Sequence, residues 1–289
     1  MIIGDLKYAI KSTIKSMIIC VLLLAVPVVV TLIAGGAFGK LHNVVAVWPK
    51  ELMAVCGVTN MYYKAPAIMP FYMILILINI FAMCICAAST MNIMSKDEES
   101  GMIQFYVNQP FSRSQIYIIK VVGIALTAVV QWVLYGLFIK LAVKIICSMR
   151  NLPYEQERQG INDIMIRGVV ILLFLVSIGI IYNMNSRRTM TMGSLFSIIC
   201  SFSYIIGNLY KVFDLIGYYM RMALVDDSVI AKLTEALEKL RIFFPFTLLN
   251  VLNTEKKPLP EERYIWYVMI SCVFVLLGWL MYRKKSFVD

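Results

Sequence analysis

The sequence predicts an all-α polytopic membrane protein with six transmembrane helices. Apolar residues fill 61% of the 289 positions and charged residues only 15%, where a soluble chain carries about a quarter charged. Several runs of about 18 or more apolar residues are long enough to cross the hydrocarbon core as helices. Lipid offers the backbone no water, and a helix satisfies its polar groups internally. A β-barrel would need short alternating strands, and the sequence has none. The whole chain, 1–289, therefore reads as a single transmembrane domain with no soluble domain attached.

Residues 1–16 predict an interfacial helix. Ile3, Leu6, Ile10, Ile14 and Met17 form an apolar stripe at helical spacing, beside a basic stripe of Lys7, Lys11 and Lys15. Such a helix lies in the head-group plane before the chain turns into the first span. That span, Met17–Phe38 with Pro27 inside it, is too long for a cleavable signal peptide, and Ala34-Gly35-Gly36-Ala37 is a weak cleavage signal. No other targeting segment, internal repeat or low-complexity tract stands out.

The first outer loop holds His42, the only histidine. A lone histidine builds neither a zinc triad nor the two-histidine helix of membrane metalloproteases. Gly39-Lys40 fails as a nucleotide loop, because Ala34 and Leu41 occupy positions that need Gly and Ser or Thr. ATP binding by this chain itself is not expected, and neither is a metal. Of the seven cysteines, Cys20, Cys84, Cys86, Cys200 and Cys272 fall in apolar spans and Cys147 just past one; only Cys56 lies in a loop. Buried cysteine packs as a small apolar residue, and Cys84-x-Cys86 has the wrong spacing for a redox or zinc pair.

The second span is Ala67–Met94 and the third Val121–Ile139, both without a charged residue. Between them, 96–120 reads KDEESGMIQFYVNQPFSRSQIYIIK. Asp97, Glu98 and Glu99 are expected to open a short helix, since acids favour the positive end of the dipole. Ile103, Tyr106 and Val107 give it an apolar face, and Asn108-Gln109-Pro110 breaks it. Ser112 with Gln115 has capping-box spacing ahead of an apolar run. The segment thus reads as helix, break, capped helix and membrane, a surface suited to docking a soluble partner. From the residues alone, an ordinary charged loop is an equal reading.

The remaining spans are a short Gly168–Tyr182, then Met190–Tyr210 and Tyr264–Tyr282, with Asn183–Thr189 forcing a tight hairpin between the fourth and fifth. In the outer segment 211–263, Asp227 or Ser228 is placed to cap a helix running to about Arg241, with Val229, Ile230, Leu233, Leu237 and Leu240 on one face and Glu235 and Lys239 paired four apart. Ile242–Leu252 is apolar but too short to span, and Pro245 interrupts it. A re-entrant or interfacial element and a small extracellular cap both fit.

With both termini inside, four short inner segments hold eleven of the 27 Lys and Arg, which favours cytoplasmic termini. The net charge of +10 fits anchoring to anionic head groups. Nucleic acid is not expected, since no basic cluster interleaved with aromatics stands in a soluble domain. Asn79, Thr127, Gln131, Asn183, Asn185 and Asn208 either line a substrate path or bond helix to helix, and no ionisable residue at a span centre favours the former.

Glu99-x-Gly101 followed by Pro110-x-Ser112-Arg113-x-x-Ile116-x-x-x-Lys120 resembles the signature of ABC exporter permeases of the type-2 family. Met102 departs from it where that family usually has Thr. The motif covers about 25 residues, and the six-span plan, the basic N-terminal helix and the long segment before span six extend the likeness. The resemblance implies that 96–120 carries a cytoplasmic coupling helix docking on a separate ATPase. Glu98, Glu99, Gly101, Phe105, Tyr106 and Pro110 would be coupling residues, and Ser112, Arg113 and Lys120 would position the entry to span three. It further implies a dimer with a second permease copy, ATP and Mg held by the partner ATPase, re-entrant outer helices in 211–263, and a bacterial plasma membrane location. The expected cargo is amphipathic: a peptide, lipid or drug. Two other classes stand as alternatives, a non-transporting immunity or scaffold protein and an intramembrane enzyme; no convincing catalytic cluster supports the latter.

Overall fold

The computed structural model describes residues 2–38, 69–99, 112–185, 192–240, 243–244 and 263–284. These form seven helices and, among the described residues, no strand: α1 Ile2–Phe38, α2 Met69–Glu99, α3 Arg113–Arg150, α4 Tyr154–Asn185, α5 Met192–Met222, α6 Ser228–Leu240 and α7 Arg263–Lys284. All but α6 contain a stretch long and apolar enough to cross a membrane, giving six candidate spans. The chain is built as a multi-pass helical membrane protein.

The six candidate spans coincide with the six apolar runs, but the helices outrun them. α1 is continuous through Met17, so the expected turn between a flat N-terminal helix and the first span falls inside one long helix. A basic stripe on an unbroken helix needs no bend when its lysines project past the hydrocarbon edge. α3 has 38 residues and is about 57 Å long at 1.5 Å per residue, far more than the hydrocarbon needs. α4 starts 14 residues before Gly168, with Glu155 and Glu157 in its first turn, where carboxylates favour the dipole. α5 continues past Tyr210 to Met222.

Two helix ends follow local chemistry. Ser112, in extended backbone, accepts from the Gln115 backbone while the Gln115 side chain accepts from the Ser112 N–H, closing the predicted capping box at the start of α3. At the other end Asn151 adopts the left-handed conformation with φ 53° and Leu152 N–H donates to Cys147 C=O at 3.0 Å, a left-handed C-terminal stop. Pro153 follows, and α4 begins at once.

α2 and α3 are the centre. α2 packs on α1, α3, α4 and α5; α3 packs on α1, α2, α4 and α7. α7 lies against α4 and α3, and α6 folds back on α5. Trp132 is fully buried between α3 and α4, its indole N–H donating to Met165 C=O at 3.0 Å. Gly168 admits it: a Cβ there would stand 2.2 Å from the Trp132 ring.

Candidate functional site

The end of the bundle that carries the α2–α3 connection holds the predicted coupling residues, and the structure divides them. Asp97, Glu98 and Glu99 are helical, but they form the last turn of α2 and open no helix of their own. Acids at this end oppose the dipole, so the sequence rule pointed to the wrong terminus. Gly101, Phe105, Tyr106 and Pro110 lie outside the described residues. Ser112 caps α3, as above. Arg113, exposed in the first turn, donates from its guanidinium to the Arg283 carbonyl at the end of α7, 3.4 Å away. Lys120, one more turn and a half along, is only 4% exposed. The entry to α3 is therefore fixed twice, by its cap and by its tie to α7.

The α3–α7 junction is aromatic. The Tyr117 hydroxyl donates to Val275 C=O at 2.6 Å, its ring lies 5.5 Å from that of Tyr282, and the Arg283 guanidinium sits 5.1 Å over Trp279. Such a cation over an indole face is an attractive pair.

Deeper in, the polar side chains join helices. Gln131 on α3 donates to the Thr13 hydroxyl on α1 at 3.1 Å and accepts from Ser89 on α2 at 2.9 Å. Tyr135 donates to Asn79 at 2.9 Å, and Asn183 on α4 donates to Met91 C=O on α2 at 3.3 Å. Thr127 and Asn208 bond the preceding turns of their own helices, at Gly123 C=O and Tyr204 C=O. These residues are engaged in holding the bundle, the second of the two roles the sequence left open. The side chain of Asn185 is not among those described.

The opposite end carries contacts that sequence reasoning missed. The Tyr72 hydroxyl on α2 donates to the buried Glu157 carboxylate on α4, and Arg150 donates to Leu32 C=O on α1. The stop signal Asn151-x-Pro153 was legible and would have placed Glu157 in a first helical turn; its partner Tyr72, 85 residues away, leaves no local trace.

α6 behaves differently from every span: no residue in it is buried. Asp227 binds Arg221 at 2.6 Å, tying the α5–α6 turn, and Lys239 donates to Glu235 at 2.8 Å. That bond and the charge behind it hold the Glu235 carboxyl below its ordinary range and raise Lys239. Among the described residues no three His, Cys, Asp or Glu side chains are grouped to hold a metal. His42 lies outside them, as does nearly all of Ile242–Leu252. No family model, curated protein or solved structure matches the chain.

Proposed function

We propose that this chain is the membrane-spanning permease subunit of an ATP-driven exporter of the ABC type-2 kind. It would pair with a second permease copy, identical or related, and draw its energy from a separate ATPase subunit that binds ATP and Mg. Its cargo would be an amphipathic peptide, lipid or drug, crossing the plasma membrane of a bacterium with both permease termini in the cytoplasm. The single observation carrying the reading is the entry to α3. A capping box at Ser112 and the Arg113–Arg283 tie make the helix after the α2–α3 connection stiff at its start. A push on residues 98–110 would therefore reach the buried core of α3 instead of being lost in a fraying end. The last turn of α2, with Glu98 and Glu99, stands on the other side of the same connection.

The test is purification in mild detergent from the native host with mass spectrometry of what accompanies the chain. A co-purifying soluble subunit with a nucleotide-binding loop is expected. Replacing Glu98, Glu99 and Phe105 together is expected to release that subunit and stop transport. If the triple variant keeps both, the coupling assignment is wrong; if no ATPase is captured even after crosslinking, the exporter reading fails.

A further inference from the structure

We infer that the notch between the start of α3 and the end of α7 binds a phospholipid with an anionic head group. Neither α3 nor α7 contains an Asp or Glu. At one end of this acid-free pair, Arg113, Arg283 and Lys284 are all exposed. The Arg113–Arg283 carbonyl bond keeps the two helix ends together, so the three cations converge on one place. α3 adds the positive end of its own dipole there.

The surroundings are those of a head-group layer. Trp279, Tyr282 and Tyr117 stand directly beneath the cations, and amphipathic rings settle at the membrane–water boundary. Further along, Ile118 and Val122 on α3 and Leu276 and Leu280 on α7 are exposed aliphatic side chains, surface that acyl chains cover. Cations above rings above aliphatic surface match a molecule with one anionic end and apolar tails. Basic clefts between membrane helices recognise anionic head groups in this way. A soluble phosphate would use the cations alone, and a neutral lipid the apolar surface alone.

The experiment uses the full chain in phosphatidylcholine vesicles doped with phosphatidylglycerol whose acyl chains are brominated and quench nearby tryptophan. The part of the signal lost in Trp279→Phe reports the notch. Quenching is expected to saturate at low phosphatidylglycerol fractions, and brominated phosphatidylcholine at the same fractions should give little. Removing each charge weakens binding about fivefold, so Arg283→Gln with Lys284→Gln should need far more lipid, while Arg283→Lys with Lys284→Arg should retain the response. Lys284→Gln alone, at an exposed position, serves if the double variant does not fold. Millimolar inorganic phosphate should leave quenching unchanged. Equal quenching by both lipids, or an undiminished response in the Gln variants, overturns the proposal. Displacement by inorganic phosphate also overturns it and makes the notch a soluble-phosphate site.

Discussion

α2 and α7 have nearly the same mean hydropathy across their spans, 2.3 and 2.0, yet 67% of the first span is buried inside the bundle and 11% of the second. What separates them is the kind of residue between the large aliphatics. α2 carries small and polar side chains, Asn79, Ala82, Cys84, Cys86, Ala87, Ser89 and Thr90, nearly all buried. These let neighbouring helices approach and bond across the gap, which is what drives association where lipid is as apolar as leucine. α7 has Gly278 and Ser271, and otherwise long side chains that face outward on most sides. Hydropathy finds a span; small and polar residues decide whether protein or lipid surrounds it.

The sharpest way to break that contrast is with two tryptophans. Trp132 is fully buried among α3 and α4, and Trp266 on α7 is 60% exposed. Trp132→Ala removes a large packed ring and an indole hydrogen bond and should cost about 3–5 kcal/mol. Trp266→Ala should change stability by less than about 0.5 kcal/mol. Reversible unfolding in mixed micelles measures both, and equal losses would mean that α7 is as much core as α3.

Next in size is Gly168→Ala. The new methyl group would stand 2.2 Å from the Trp132 ring, so the ring or the α3–α4 spacing must shift. The expected loss is about 1–3 kcal/mol, read in the same unfolding assay, and Trp132→Leu in the same chain should recover part of it. A Gly168→Ala chain as stable as the parent would show that the α3–α4 contact is looser than drawn.

These two residues also mark how far the sequence could be read. Nothing local says that Gly168 faces Trp132, 36 positions away in a chain with many glycines and aromatics. The six spans were legible because each is a long apolar run set by bilayer thickness. The capping box at Ser112 was legible because both partners lie within four residues. The helix from Ser228 was legible from its capping position and its apolar stripe. The reading failed where helices run on beyond lipid, at Met17, at Asp97–Glu99 and before Gly168. There tertiary contacts such as Tyr72 with Glu157 sustain the helix, and composition had already turned polar. The resemblance-based coupling residues between 101 and 110 lie outside the described residues.

A finer test of the α2 side of the contrast is a double-mutant cycle on Gln131 and Ser89. Their hydrogen bond at 2.9 Å joins α3 to α2. Such bonds in membranes couple by about 0.6 kcal/mol and at most about 1.7. Gln131→Leu, Ser89→Ala and the pair should give a coupling in that range. Gln131→Leu alone should cost more than Ser89→Ala, because it also strips Thr13 of its partner on α1. A coupling of zero would mean that small-residue packing alone holds α2 in the centre.

The smallest effect belongs to α6, which has no buried residue and so depends on its own surface charges. Lys239 lowers the Glu235 pKa, so this carboxylate stabilises the helix above its unfolded value and loses that effect as pH falls through the lower folded value. Glu235 raises the Lys239 pKa, so the ammonium contributes below its unfolded value and is lost as pH rises through the higher folded one. The pair is intact between these limits and is weakened by salt, because both side chains are exposed. Glu235→Gln should therefore reduce the helical carbon shifts of α6 at about pH 6, and the difference from the parent should vanish at about pH 3, below the usual carboxylate range. The shifts of α2 should not respond to this change at either pH. A difference that persists undiminished at pH 3 would mean that Glu235 supports α6 through something other than its charge.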